Sequence, residues 1–150
     1  MRIVAVVGAD LTRRTAAVEK LVAGLTARGA GVGVAVYRVF GRPEAEDDPA
    51  ARYARAGASQ VLVNRGKEPC FQQRLAGLTP LRRVAARYFN AQDVVLGDGY
   101  LDPGEWISVG PPPAGRDDGL LAVIGEAGGG FPSFPPRDIA PLADLLLGEK

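Results

Sequence analysis

Near the amino end of the chain, a glycine, two arginines and a threonine fall at a spacing suited to anion chemistry. In GADLTRRT, Gly8 and Thr15 have the separation of the first glycine and the final hydroxyl in the phosphate-binding pattern G-x-x-x-x-G-K-[ST]. Such a loop works because successive backbone N–H groups and a helix N-terminus converge on the anion, while the lysine adds a point charge and the hydroxyl holds magnesium. Here Arg13 stands where the second glycine belongs and Arg14 where the lysine belongs. Arg14 keeps the charge on a longer planar fork, whereas Arg13 puts a side chain where glycine would leave the approach clear. The expected cradle is therefore Gly8, Ala9, Asp10, Leu11, Thr12, Arg13, Arg14 and Thr15, with Arg14 as charge partner. The plain alternative is an ordinary strand-to-helix turn in which Thr12 caps the helix. The arginines would then be solvated, or pair with Asp10, Asp98 or a neighbouring subunit. Asp10 weighs toward that alternative, because a carboxylate beside the loop repels phosphate.

A phosphate site of this kind needs an acidic residue at the end of a second buried strand. Asp98 in DVVLGDGY occupies that place, and Asp93 begins the same strand. With Thr15 it forms the expected magnesium pair; its alternative use is as a turn residue between two glycines. The sequence holds no histidine and one cysteine, Cys70, which removes histidine bases, Ser-His-Asp triads, internal disulfides and cysteine-rich zinc sites. No residue obviously orients a water, so hydrolysis at this loop would be slow.

The elements that must position these residues can be read from hydrophobic periodicity. Ile3 to Val7 is a continuous apolar run that strikes Gly8, and the helical segment follows from about Thr15. In that helix Val18, Leu21, Val22 and Leu25 recur at i, i+3, i+4 and i+7 before Gly29 ends it. GVGVAVYRV predicts a second strand, parallel to the first because a helix separates them. Asp48 and Pro49 open a short helix to about Ala56, and Gln60 to Val63 predicts a third strand. Cys70, Phe71 and Leu75 fit one helical face. Thr79 and Pro80 cap a clearer helix carrying Leu81, Val84, Ala85 and Tyr88. Further strands are expected at Asp93 to Leu96, Trp106 to Val109 and Leu120 to Ile124, with a terminal helix through Ile139, Leu142, Ala143 and Leu146. Alternating strands and helices define an α/β class with a mostly parallel sheet in three layers. The 150 residues, 47% apolar, suffice for one domain spanning 1–150.

The net charge of +1 leaves no electrostatic footprint for nucleic acid or an acidic membrane surface. No apolar run approaches the roughly 20 residues that span a bilayer, and the opening run leads into the loop rather than a cleavage site. The expected location is cytoplasmic. Trp106, Tyr100, Phe131 and Phe134 read as packing or subunit-contact residues, Cys70 as a small, partly buried apolar residue, and Arg82, Arg83 and Arg87 as a solvated helix face.

Taken in order, these segments resemble the molybdopterin-guanine dinucleotide biosynthesis protein B family. The resemblance runs nearly end to end: the opening strand and loop, LTARGAGVGV, YARAGASQVLV, the strand-turn DVVLGDGY, and the ending FPSFPPRDIAPLADLLL. It implies a P-loop NTPase-like α/β fold, GTP with magnesium, a homodimer, and a molybdenum cofactor guanylyltransferase as partner. The departures fall at functional positions. Arg13 and Arg14 alter the loop; Val36, Tyr37, Arg38, Val39 and Phe40 replace a segment rich in lysine and histidine; Asp98 stands for a glutamate and Leu101 for a basic residue. The expectation is a divergent, accessory nucleotide-binding protein with weak or altered GTP binding, at most a slow GTPase. The alternatives are a nucleotide-free scaffold or interaction subunit that keeps the fold, and a small P-loop kinase or NTPase.

Overall fold

The first strand, β1 (Arg2–Val7), alternates its side chains between two apolar environments, which requires a layer on each side. The computed structural model supplies both. It describes residues 1–37, 49–64, 80–89, 91–100, 104–113, 115, 118–125 and 130–148. After β1 come α1 (Leu11–Ala27), β2 (Val32–Tyr37), α2 (Pro49–Ala56), β3 (Gln60–Asn64) and α3 (Leu81–Tyr88). Then follow β4 (Val94–Asp98), β5 (Trp106–Val109), β6 (Leu120–Ile124), β7 (Ser133–Phe134) and α4 (Ala140–Leu146).

The strands form one sheet in the order β3-β2-β4-β1-β5-β6-β7. Every pairing is parallel, so the sheet is wholly rather than mostly parallel. The short β7 is not among the expected strands, and pairs at Val123–Ser133 and Ile124–Phe134. The expected helical face through Cys70, Phe71 and Leu75, the Asp48 and Thr79 caps, and Arg38, Val39, Phe40 and Leu101 all lie outside the described residues.

On one face of the sheet, Val4, Val6, Val34, Val36 and Leu96 meet α1 through Val18, Leu21, Val22 and Leu25. Helix α4 joins this layer through Leu142, Ala143 and Leu146, and α2 through Tyr53. The opposite face carries Ala5, Ala35 and Val95, covered by Leu81, Val84 and Ala85 of α3. This makes the expected three-layer sandwich. Tyr88 departs from its expected inward position and is 50% exposed, its ring beneath the Arg87 guanidinium. The helix ends there, and the extended backbone of Phe89 turns the next ring inward, against Gly33. No helix among the described residues is long and apolar enough to cross a membrane.

Helix α1 starts at Leu11, a full turn before Thr15. Asp10 is its N-cap, and the carboxylate accepts from the Arg13 N–H at 3.1 Å. With arginine, a good helix former, in place of the second glycine, the helix extends back through LTRRT to its cap. The turn from β1 is thereby shortened to Gly8 and Ala9. Gly8 is required by proximity, because a Cβ there would lie 2.9 Å from the Val109 carbonyl oxygen.

Candidate functional site at the carboxyl edge of the sheet

Parallel α/β sheets bind ligands outside the carboxyl ends of their strands, where neighbouring connections diverge. Here β1 lies beside β4 with Val6 opposite Asp98, and β2 flanks β4 with Val36 opposite the same residue. Asp98 thus closes β4 between two strand ends and is 1% exposed. The turn behind it is made by Gly99, whose φ of +93° and closeness to the Tyr37 carbonyl both exclude a side chain.

Helix α1 rises from Asp10 with Arg14 and Thr15 facing this edge. The Arg14 guanidinium donates from Nε to Asp98 Oδ1 at 2.5 Å and from Nη1 to the Gly8 carbonyl at 2.6 Å. It therefore bridges the ends of β1 and β4. The second carboxylate oxygen, Oδ2, accepts from the Tyr53 hydroxyl at 2.5 Å. Tyr53 comes from α2 and is buried, as is Thr15, which is 3% exposed. Burial pushes the Tyr53 phenol above its ordinary range; the Asp98 charge, and the bond the phenol donates to it, push the same way.

Of the residues expected to act on phosphate, Arg14, Thr15 and Asp98 are brought together with the Gly8 carbonyl. Arg13 stays apart, with its side chain 78% exposed and its Nε 3.7 Å from Asp10. Leu11 is exposed, and Thr12 is not the cap, because Asp10 takes that role. Asp93 lies at the far end of β4, where its carboxylate accepts from the Gly31 N–H at 2.7 Å. Trp106 and Tyr100 are packing groups: the indole donates to the Asp118 carbonyl, and the Tyr100 ring leans on Tyr37.

Asp98 and Thr15 do not fit a magnesium ion in this arrangement. One carboxylate oxygen carries a guanidinium and the other a phenol. The N–H groups of Arg13 and Arg14 are likewise engaged, by the Asp10 side chain and the Asp10 carbonyl. Sequence reasoning missed Tyr53. The signal lay in PAARYARA, where Pro49 and Tyr53 are the buried residues of α2, one turn apart.

The fold and this edge define a class: a parallel α/β protein whose first strand passes through a short glycine turn into a helix, opposite an aspartate that ends the adjacent strand. Two crystal structures are similar to this chain in fold. One is a molybdopterin-guanine biosynthesis protein B (MobB), with a TM-score of 0.64, 22% sequence identity and coverage of 97% of either chain. The other is a MobB protein homologue from Bacillus stearothermophilus, with a TM-score of 0.57 and 21% identity over 99% of this chain and 97% of that one. At these identities the likeness is one of fold. No protein-family model matches the chain, and no curated protein matches it.

Proposed function

We propose that this chain is a MobB-like accessory protein in molybdenum cofactor biosynthesis, at the molybdopterin guanine dinucleotide stage, with weakened GTP binding at Gly8–Thr15. The fold likeness over nearly the whole chain supports the setting. The weakening rests on one observation, the Arg14 guanidinium held between the Gly8 carbonyl and Asp98. In that position the side chain neutralises the acid that would otherwise attract a cation, and its charge is directed away from an incoming phosphate. GTP, a second copy of the chain and a guanylyltransferase are the ligands and partners of this reading, and magnesium would join GTP only where Arg14 leaves Asp98.

Titration of GTP with magnesium by calorimetry tests it. The expected result is heat only at millimolar nucleotide, with tighter binding when the Arg13→Gly and Arg14→Lys substitutions are combined. Micromolar binding by the unaltered chain would overturn the weakened-site reading. A second reading, a nucleotide-free interaction subunit, is favoured by the Asp10 cap, which uses the loop's own amides. Co-purification with the guanylyltransferase, without heat from GTP or ATP at millimolar concentration, would select it. Turnover of either nucleotide, lost in Arg14→Ala and Asp98→Asn, would instead select an enzyme.

A further inference from the structure

Helix α3 covers the face of the sheet opposite α1 and turns Leu81, Val84 and Ala85 inward. Arg82, Arg83 and Arg87 are left exposed on its outer side, beside the half-exposed Tyr88, whose ring centre lies 5.5 Å from the Arg87 guanidinium. Arg2, Arg14, Arg28 and Arg52 each hold a carboxylate, from Glu105, Asp98, Asp144 and Glu19. Among the described residues, none pairs with the three arginines of α3. Two of them also stand where the helix itself disfavours them. Arg82 and Arg83 fall in the first turn, at the positive end of the helix dipole, with no acidic residue there and no side-chain cap. Arg83 and Arg87, four residues apart, repel each other along the same face.

Cations placed against their own helix call for a countercharge from outside the chain. Guanidinium forks suit carboxylates, which they bind two-pronged, and arginine and tyrosine are enriched at protein–protein contacts. A polynucleotide fits less well, because Arg82 to Arg87 spans only about 8 Å of helix. The net charge of +1 adds no wider field along which a phosphate backbone could run. The face also runs into a hollow. Arg82 lines a cavity of about 820 Å³ at the amino ends of β1 and β4, whose buried lining residues include Ala5, Leu81, Val94 and Leu146. Asp93 and Glu105 in its wall are already engaged, by the Gly31 N–H and by Arg2. The hollow therefore offers an apolar seat beside the Arg82 guanidinium.

We infer that this face docks an acidic protein segment, with carboxylates on Arg82, Arg83 and Arg87 and one apolar side chain in the adjoining hollow. The face lies in the layer opposite the Gly8–Thr15 stretch and does not depend on the GTP reading, so either can fail alone. The test is titration of the isotopically labelled full chain, followed by amide NMR, with the peptide EELEEE as probe. EEAEEE removes the apolar side chain, KKLKKK reverses the charge, and decathymidylate supplies phosphates in place of carboxylates. EELEEE is expected to shift Arg82, Arg83, Arg87 and Tyr88, and KKLKKK to leave them unmoved. EEAEEE should bind about tenfold more weakly, as loss of a buried leucine side chain implies. Arg83→Glu combined with Arg87→Glu should abolish the shifts. Arg83→Glu alone should weaken the peptide yet raise the thermal midpoint, because a carboxylate suits a helix N-terminus where a guanidinium does not. A lowered midpoint in that variant would show that the arginine serves the fold and would overturn the inference. So would shifts away from α3 or none at all, unchanged binding in the double variant, equal binding of EEAEEE, or tighter binding of decathymidylate.

Discussion

At the scale of single residues, the carboxyl edge is governed by how one buried carboxylate is satisfied. Asp98 is almost wholly out of water, and an ion there persists only with close partners. Arg14 supplies the countercharge and Tyr53 the second hydrogen bond. This coupling makes Tyr53 a measurable reporter. Its phenol is raised above its ordinary value near 10, so the folded protein holds this contribution in full below about pH 10. Above that pH the unfolded chain ionises first, and the contribution is lost. Urea unfolding of the native chain should therefore weaken as pH rises through the alkaline range. Tyr53→Phe should lower stability at pH 8 by about 1–3 kcal/mol, since Asp98 loses a buried partner, and should flatten the alkaline decline. An equally steep decline in the variant would show that other tyrosines carry it.

At the scale of elements, the decisive event is where α1 begins. A helix starting at Leu11 converts the stretch expected to wrap an anion into a capped first turn. The Asp10 carboxylate meets an amide that the helix leaves without an internal partner. Asp10→Ala should cost about 1 kcal/mol, the usual value of such a cap, read as a lower urea midpoint with an unchanged m-value. If the loop instead retains an anion-ready form, removing this carboxylate would also improve GTP binding by taking away a repulsive charge. One calorimetric titration of the same variant reads that effect separately.

At the scale of the whole molecule, the seven-residue α4 cannot persist alone and is tied to its layer by long side chains. Arg28, just past α1, pairs with Asp144 and donates to the Ala140 carbonyl. Arg2 donates to the Leu145 and Leu146 carbonyls from the start of β1 while pairing with Glu105. Arg28→Ala should speed hydrogen exchange across α4 while the central strands stay protected to the global limit. Uniform loss of protection would mean that α4 and the sheet unfold as one unit.

The strands and the core of α1 were legible because a buried parallel strand is apolar on both faces and a packed helix repeats its apolar positions with the turn. Val4 with Val6, and Leu21 with Leu25, announce themselves in this way. Thr15 and Asp98 were legible as neighbours because each ends or follows a strand at the same edge. Phe89, not Tyr88, faces the core because a helix end redirects the chain, which periodicity does not carry. Tyr53 escaped because its partner lies in a strand 45 residues away, and only packing of α2 against α1 and the sheet brings the phenol to Asp98. The sequence alone thus determined the class of fold and that Arg13 and Arg14 replace a glycine and a lysine. Only the tertiary structure decided what the arginines do: Arg13 faces solvent, and Arg14 bridges Gly8 and Asp98, because a buried carboxylate takes the nearest cation the fold can deliver.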